Sequence, residues 1–467
     1  MTDSNPKPQP VVFIIGAGLS GLLLAALLEK THIPYRVFER ASTVKPLGSV
    51  LSLSPPILRA LDQLGLMDEL KKISMPCAEL TIVDANLKTI GVVSPGKNDK
   101  AISGYDSITF ARPDLYDLML RQVPAENITF GKKVLKVTEE DDKVTIHLSD
   151  NTAYECDILV GADGSYSAVR QSMYRVMSDL GTLPKADGEE LVAGYSMTVG
   201  TTQPLDPEKY PQLKDNSCHF VSVIGGDRYS YNCIIVPGQR VCWSLSIQFE
   251  SPEESRKELF RNSEWKSDQI NPMTDVFSSF PSPYGGKMGD LIEATPKELI
   301  SRVYSEYKMF KTWFHGRSVL IGDACHKMLP AAGQGAVNAM QDSVILANCL
   351  YDIEDNTQKS ITEAFQSYYD QRYELAKAAY DMSGMLAKIT KGQKWHERLV
   401  RTFMFNLPES IQAASQAKRC MYRPQATFLP IVPLRGTGAV LPQPPSKRYQ
   451  REQEVLQKKS DTDIVAV

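Results

Sequence analysis

Three short stretches of this 467-residue chain carry glycine and acidic residues at spacings suited to gripping a phosphorylated ligand. The first is Gly16-Ala17-Gly18-Leu19-Ser20-Gly21. In such a pattern the first glycine permits a tight turn, the second lets the backbone approach a pyrophosphate, and the third lets a helix pack closely on a strand. The free N–H groups and dipole at the start of that helix favour negative charge. Glu39, 18 positions beyond Gly21, closes the next predicted strand and can accept a hydrogen bond from an adenosine ribose hydroxyl, with Arg40 beside it as a further candidate contact. A glycine motif framed by strand, helix and terminal acid predicts a dinucleotide without saying which.

The second stretch runs from Asp157 to Arg170, where Asp163 and Gly164 follow a short apolar run. An acid and an unhindered glycine at a strand's end suit a loop passing close to a bound dinucleotide, and Arg170 could offer a fixed cation to phosphate or to Asp163. The third is Gly322-Asp323-Ala324-Cys325-His326, then Pro330, then Gly333-Gln334-Gly335, opening a helix that includes Asp342. A glycine turn at a helix N-terminus is a preorganised, uncharged way to stabilise an anion. His326 reads as a capping residue rather than a catalytic base, and Cys325 as a small buried side chain.

These loops need elements to hold them. Val11–Ile15 is an apolar, β-branched run expected for a strand covered on both faces of a parallel sheet, and Leu19–Lys30 reads as a helix. Tyr35–Glu39 then completes a βαβ unit. From Leu80 to Val93 and from Leu191 to Phe249 the pattern alternates, with turns between, as in an antiparallel sheet. That sheet is assigned to a substrate-side domain inserted into the first. Tyr229, Tyr231, Trp243 and His219 lie on it, although alternation does not say which face is inward. Asp157–Val160 and Ser318–Gly322 read as further buried strands, so the nucleotide-binding domain is discontinuous. Ile361–Ile389 is an amphipathic helix whose aromatics read as core, and Ser446–Val467 is charged and expected to be disordered.

Composition narrows the function classes. With 42% hydrophobic residues the chain can bury a large core, and a formal charge of −3 with no basic, aromatic-interleaved block argues against a nucleic-acid partner. Eight scattered cysteines with no C-x-x-C pair suggest reduced thiols in a cytoplasmic setting and no metal site. Val11–Leu28 lacks charge for eighteen residues, but its three glycines argue against a membrane span, and the leader MTDSNPKPQP lacks a compact basic region.

The three stretches in order resemble the single-component, FAD-dependent aromatic hydroxylases. These are the flavoprotein monooxygenases that include salicylate and hydroxybenzoate hydroxylases, kynurenine monooxygenase and fungal secondary-metabolite epoxidases. The similarity spans about residues 10–350. It implies an α/β fold with an FAD-binding, Rossmann-like domain of the GR2 type, an inserted mixed β-sheet substrate domain and C-terminal helices. The corresponding boundaries are 10–79, 99–185 and 290–360 for the FAD-binding parts, 80–98 and 186–289 for the substrate side, 361–425 for the helical region, and 426–467 for an extended or disordered tail.

The resemblance also implies that Asp323 binds the ribityl chain, that Pro330 lies beside the isoalloxazine, and that Gly333–Gly335 presents N–H groups to the flavin's pyrimidine edge. Arg112, in Arg112-Pro113-Asp114-Leu115, would lie near the cofactor, and Gly48-Ser49-Val50 matches the region where a mobile flavin meets substrate. Val337 stands where such proteins usually carry Asn, with Asn338 one position later. The implied reaction uses NAD(P)H as co-substrate to reduce FAD, and O₂ then forms a hydroperoxyflavin that hydroxylates or epoxidises a hydrophobic or aromatic small molecule. No second G-x-G-x-x-G provides a nicotinamide domain. The alternatives are a halogenase or prenyl-chain reductase on the same fold, an NAD-dependent dehydrogenase using the first motif alone, and a flavin-binding scaffold without turnover.

Overall fold

The computed structural model describes residues 9–455 except 44–47, 78, 95, 141, 192, 226–227, 252, 257–270, 392–398, 402 and 405–406. The leader at 1–8 and the tail at 456–467 lie outside the described residues.

The apolar run near the N-terminus forms strand β1 (Val12–Ile15), followed by helix α1 (Leu19–Leu28) and strand β2 (Tyr35–Phe38). All ten residues of α1 are buried, which explains the uncharged stretch: the helix needs no polar face because protein surrounds it. Among the described residues, no helix is long and apolar enough to cross a membrane. Beside β1 lie β3 (Ile158–Gly161), which leads into helix α2 (Ala168–Asp179), and then β4 (Ser318–Leu320). The sheet order is 314–315, β4, β3, β1, β2, 128–129, with parallel pairing everywhere except between 314–315 and β4. Helices α3 (Gly335–Tyr351) and α4 (Gln358–Lys391) complete this part. On α4, Phe365 and Tyr368 are fully buried and Trp313 packs against Tyr368, Tyr369 and Tyr373, so its aromatics are core.

The second sheet has seven strands in the order Ser301–Glu306, Ala193–Thr201, Arg240–Gln248, Tyr229–Val236, Phe220–Ile224, Leu80–Asp84, Thr89–Val93. It is mixed, as the resemblance implies, with one parallel pair in a sheet whose alternation reads as antiparallel. Phe220–Ile224 runs parallel to Leu80–Asp84, because these strands come from distant segments and are not joined by a hairpin. The register settles which face is which. Tyr231, Cys233, Trp243 and Leu245 point to the outer side, where they pack against Met273, Phe277, Met288 and Leu291. Tyr229 lies edge-on to Phe277 on the same side. Trp243 Nε1 donates to Thr295 Oγ1 at 2.9 Å, and the ring covers Gly200, where a Cβ would lie 2.5 Å from Trp243 Cζ2. His219 sits at the rim, bonded to Asp215.

The C-terminal segment corrects the expectation of a disordered tail as far as residue 455. The Arg59 guanidinium donates to Val432 O, and Gln63 Nε2 donates to Ala426 O, stitching the Pro-rich stretch onto the body. Residues 447–455 are helical, with Tyr449 against the core and Arg448 Nη1 donating to Tyr351 O. The charged residues are the outer face of a docked helix, and one aromatic and the guanidinium of Arg448, stacked 4.6 Å from the Tyr351 ring centre, anchor it.

Because Trp243 is core, Trp243→Ala is expected to lower the unfolding free energy by about 3–5 kcal/mol. Trp243→Phe, which removes the indole hydrogen bond but leaves the Thr295 hydroxyl donating to Leu291 O, is expected to cost about 0.5–1.5 kcal/mol. Chemical denaturation of the two variants measures both.

Candidate active site

The glycine loop between β1 and α1 divides its labour. Gly16 adopts φ +104°, and a Cβ there would lie 2.5 Å from Ala162 O; a Cβ on Gly21 would lie 2.0 Å from Gly16 O. Both positions are therefore pressed against backbone. Gly18 differs: its φ of −76° suits any residue, and no atom lies within 4 Å of the Cβ position. It faces open space at the N-terminus of α1, where no side chain caps the first N–H groups. Glu39 closes the same mouth, its Oε2 accepting from Ala17 N–H at 2.9 Å and its Oε1 from Ala41 N–H at 2.8 Å. Arg40 is exposed at the rim.

Asp163 follows β3, adjacent to that loop. Its Oδ2 accepts from the Ala168 N–H at 2.7 Å at the start of α2, while its Oδ1 is buried without a hydrogen-bond partner. Burial pushes this carboxyl up. Gly164 (φ +80°) has open space where a Cβ would stand. Arg170 turns away from Asp163: its Nη1 donates to Ala324 O at 2.7 Å and its guanidinium stacks 4.2 Å from the Phe310 ring centre. Its role is to tie the second loop to the third.

In the third loop Gly322 (φ +63°) donates its N–H to Asp342 Oδ2 at 2.9 Å. Asp323, the next residue, is a third exposed and pairs with Lys327 Nζ at 2.6 Å. Pro330 opens a single 3₁₀ turn that ends on Gly333 in the left-handed region, and α3 begins at Gly335 without a side-chain cap. Open space surrounds both glycines. The unusual Val337 is buried in the core, whereas Asn338 braces the turn against α4, its Nδ2 donating to Gln334 O at 3.0 Å and its Oδ1 accepting from Arg372 Nη2 at 2.9 Å.

His326 is no cap. It is fully buried, 2.6 Å from Asp342, whose other oxygen accepts from Arg372 Nε at 2.8 Å. Burial opposes the Asp342 charge, but His326 and Arg372 outweigh it and hold the carboxyl below the usual range. The ligand atoms of Cys325, His326 and Asp342 lie within 4.8 Å of one another, yet Arg372 already supplies the cation. Neither Arg372 nor Lys327 stood out in the sequence, although Lys327 lies four residues from Asp323 inside the motif.

The two sheets meet at this loop. Leu329 and Ala331 pack against Tyr195, Met197 and Val199 on the inner face of the second sheet. At the other end of that face, Ile234 and Cys242 pack on Val50 and Ala111. There Gly48 (φ +115°) lies against Arg112, which donates its N–H to Ser49 O at 2.7 Å, and Ser49 Oγ donates to Trp243 O. Between these seals the inner face carries a cross-strand row, Ser222, Asn232 and Ser244, beside Ser230 and Ser246. A separate cleft of about 590 Å³ between Lys72–Met75 and Leu213–Asn216 contains none of the residues singled out from the sequence.

The chemistry of the cleft fits an extended dinucleotide. Open glycines sit at two helix N-termini, and an orphaned carboxylate oxygen and two further acids stand on the loops packed beside them. Comparison with known proteins agrees. The family described as FAD binding domain matches residues 9–184 and 289–383, more than half of the chain. The chain belongs to the FAD-dependent monooxygenases. The monooxygenase prhF of Penicillium brasilianum is 26% identical over 438 residues, covering 90% of this chain and 88% of its own. Among solved structures, a point variant of Klebsiella pneumoniae HpxO complexed with FAD superposes with a TM-score of 0.70 at 21% identity, over 89% of this monooxygenase and 100% of that chain. The 2,6-dihydroxypyridine-3-hydroxylase of Arthrobacter nicotinovorans gives 0.66 at 20%, over 83% and 95%. At these identities the structural likeness concerns the fold, and FAD is the cofactor of the enzyme.

Two contrasts test this geometry. Gly18→Ala is expected to leave the apoprotein within about 1 kcal/mol of wild type while weakening FAD binding at least about tenfold. Gly21→Ala is expected to cost about 1–3 kcal/mol of stability, because backbone must shift. Asp342→Asn leaves Arg372 buried and unpaired and is expected to cost about 3–5 kcal/mol at neutral pH. The stabilisation from ionised Asp342 exists above the ordinary carboxylate range and disappears as pH falls through its depressed pKa, so the variant's stability is expected to vary less with pH in acid. Denaturant titrations across pH and FAD-fluorescence titrations read these outcomes.

Proposed function

We propose that this monooxygenase uses NAD(P)H and O₂ to insert one oxygen atom into a hydrophobic or aromatic small molecule held between the inner face of the second sheet and the Pro330 loop. The supporting observation is that the three chemistry-bearing loops pack side by side, Gly16 against Ala162 and Arg170 against Ala324, while the third also abuts that sheet. When bound, FAD supplies the electron acceptance and oxygen activation.

The chain's own groups do the positioning. Gly18 and the free N–H groups of α1 would take the pyrophosphate, Glu39 the adenosine ribose, with Arg40 at its edge, and the orphaned Asp163 Oδ1 with Gly164 a hydroxyl along the chain of the cofactor. Gly322 sets the turn from which Asp323 would hold the ribityl hydroxyls, and Pro330 would border the ring. The Gly333–Gly335 turn would offer N–H groups to its pyrimidine edge, where negative charge is stabilised without a counter-ion. Gly48 and Arg112 would contribute a further edge of the site. On the sheet, the Ser222, Asn232 and Ser244 row would hydrogen-bond a polar group of the substrate to orient it, while the packed ends on either side exclude water.

Anaerobic stopped-flow mixing with NADH and NADPH, alone and with panels of aromatics, terpenoids and indoles, tests this reading. One nicotinamide is expected to reduce the flavin, faster with a substrate, and the product formed under labelled O₂ is expected to carry one labelled oxygen. Failure of both nicotinamides to reduce the FAD, or chloride-dependent product, would refute it.

A further inference from the structure

Lys327 sits inside the third loop, in a two-residue strand paired with Lys308–Met309. Its side chain is only 19% exposed, and its ammonium lies 2.6 Å from Asp323 Oδ2. A second carboxylate bears on it: Glu306, 3% exposed at the end of the sheet strand Ser301–Glu306, which accepts from Tyr166 Oη at 2.8 Å. Arg112 is the other cation near enough to matter. Burial disfavours the Lys327 charge, but Asp323 more than offsets this and keeps it protonated.

An exposed i,i+4 pair contributes little, but this one is neither helical nor well solvated. Its placement also creates a conflict. A carboxylate beside the ribityl chain repels the negative charge that the flavin acquires once reduced, and low solvent access strengthens that repulsion. Glu306 adds to it. A nearby ammonium cancels the penalty in the reduced state while still leaving Asp323 an oxygen for a hydroxyl.

We propose that Lys327 is a positioning and charge-balancing residue of the cofactor site, which fixes the Asp323 carboxylate and offsets its repulsion of reduced flavin. The proposal rests on the assignment of Asp323 to the cofactor.

Lys327→Gln, Lys327→Arg, Asp323→Asn and the Lys327→Gln/Asp323→Asn double variant test it through two readouts that need no substrate: the dissociation constant of oxidised FAD and the midpoint potential of the bound flavin. In Lys327→Gln, affinity for oxidised FAD is expected to stay within about threefold of wild type. Affinity for the reduced form is expected to fall about tenfold further, a drop of about 30 mV for a two-electron couple. Lys327→Arg is expected to restore the wild-type potential, and Lys327→Gln is expected to have a smaller effect once Asp323 is Asn, because only Glu306 then remains to be offset.

An unchanged potential in Lys327→Gln, equal losses of oxidised and reduced flavin, or the same shift in the Asp323→Asn background would overturn the proposal. A chain that folds only with Lys or Arg at 327, with Lys327→Met tried beside Lys327→Gln, would assign a structural role and overturn it too. Unchanged FAD affinity in Asp323→Asn would instead remove the assignment of Asp323, and the proposal with it.

Discussion

Asp342 is the point on which three parts of the enzyme are hung. One oxygen takes the Gly322 N–H and His326, the other takes Arg372, and none of these three side chains reaches solvent. The carboxylate thus fixes the third loop to α3 and, through Arg372, both to α4. Such an arrangement adds little net stability over an apolar packing of the same shape, since desolvating the charges costs about as much as their attraction returns. What it provides is definition: the loop has one place to sit. Asp323, Pro330 and Gly333 inherit their positions from it, and a cofactor site tolerates little looseness.

Much of this was legible in the sequence, for reasons that differ by element. The β1 loop is legible because its glycines answer to sterics: Gly16 and Gly21 stand where a Cβ would strike backbone, and Gly18 where only a ligand would meet one. The long helix α4 shows in its aromatic spacing. The faces of the second sheet do not, because period-two alternation is symmetric and only pairing register says that Tyr231 and Trp243 turn outward. Arg372 was equally hidden, since its partner lies 30 residues away and no local pattern links them. The helix at 447–455 was misjudged because charge suggests disorder, whereas one aromatic and one stacked arginine suffice to dock it.

The second sheet serves two masters. Its outer face is a packed aromatic and aliphatic core, rigid enough to hold register, so its inner face can carry serines and an asparagine without weakening the structure. Specificity can then drift on one side while the other preserves the fold. The Arg240–Asp114 ion pair at 2.6 Å, partly shielded from solvent, fastens this sheet to the helix that begins at Arg112. Movement of the sheet is thereby coupled to a residue bordering the cleft.

The wholly buried α1 has a consequence for biogenesis. Ser343 on α3 donates to Ser20 O at 2.8 Å, and α3 lies over α1, more than 300 residues further along the chain. During synthesis this apolar helix precedes its cover by more than 300 residues. Chains of this size expose such surfaces to aggregation in the interval. The loop that opens on Gly18, carried at the head of α1, therefore reaches its final setting only once α3 has been made.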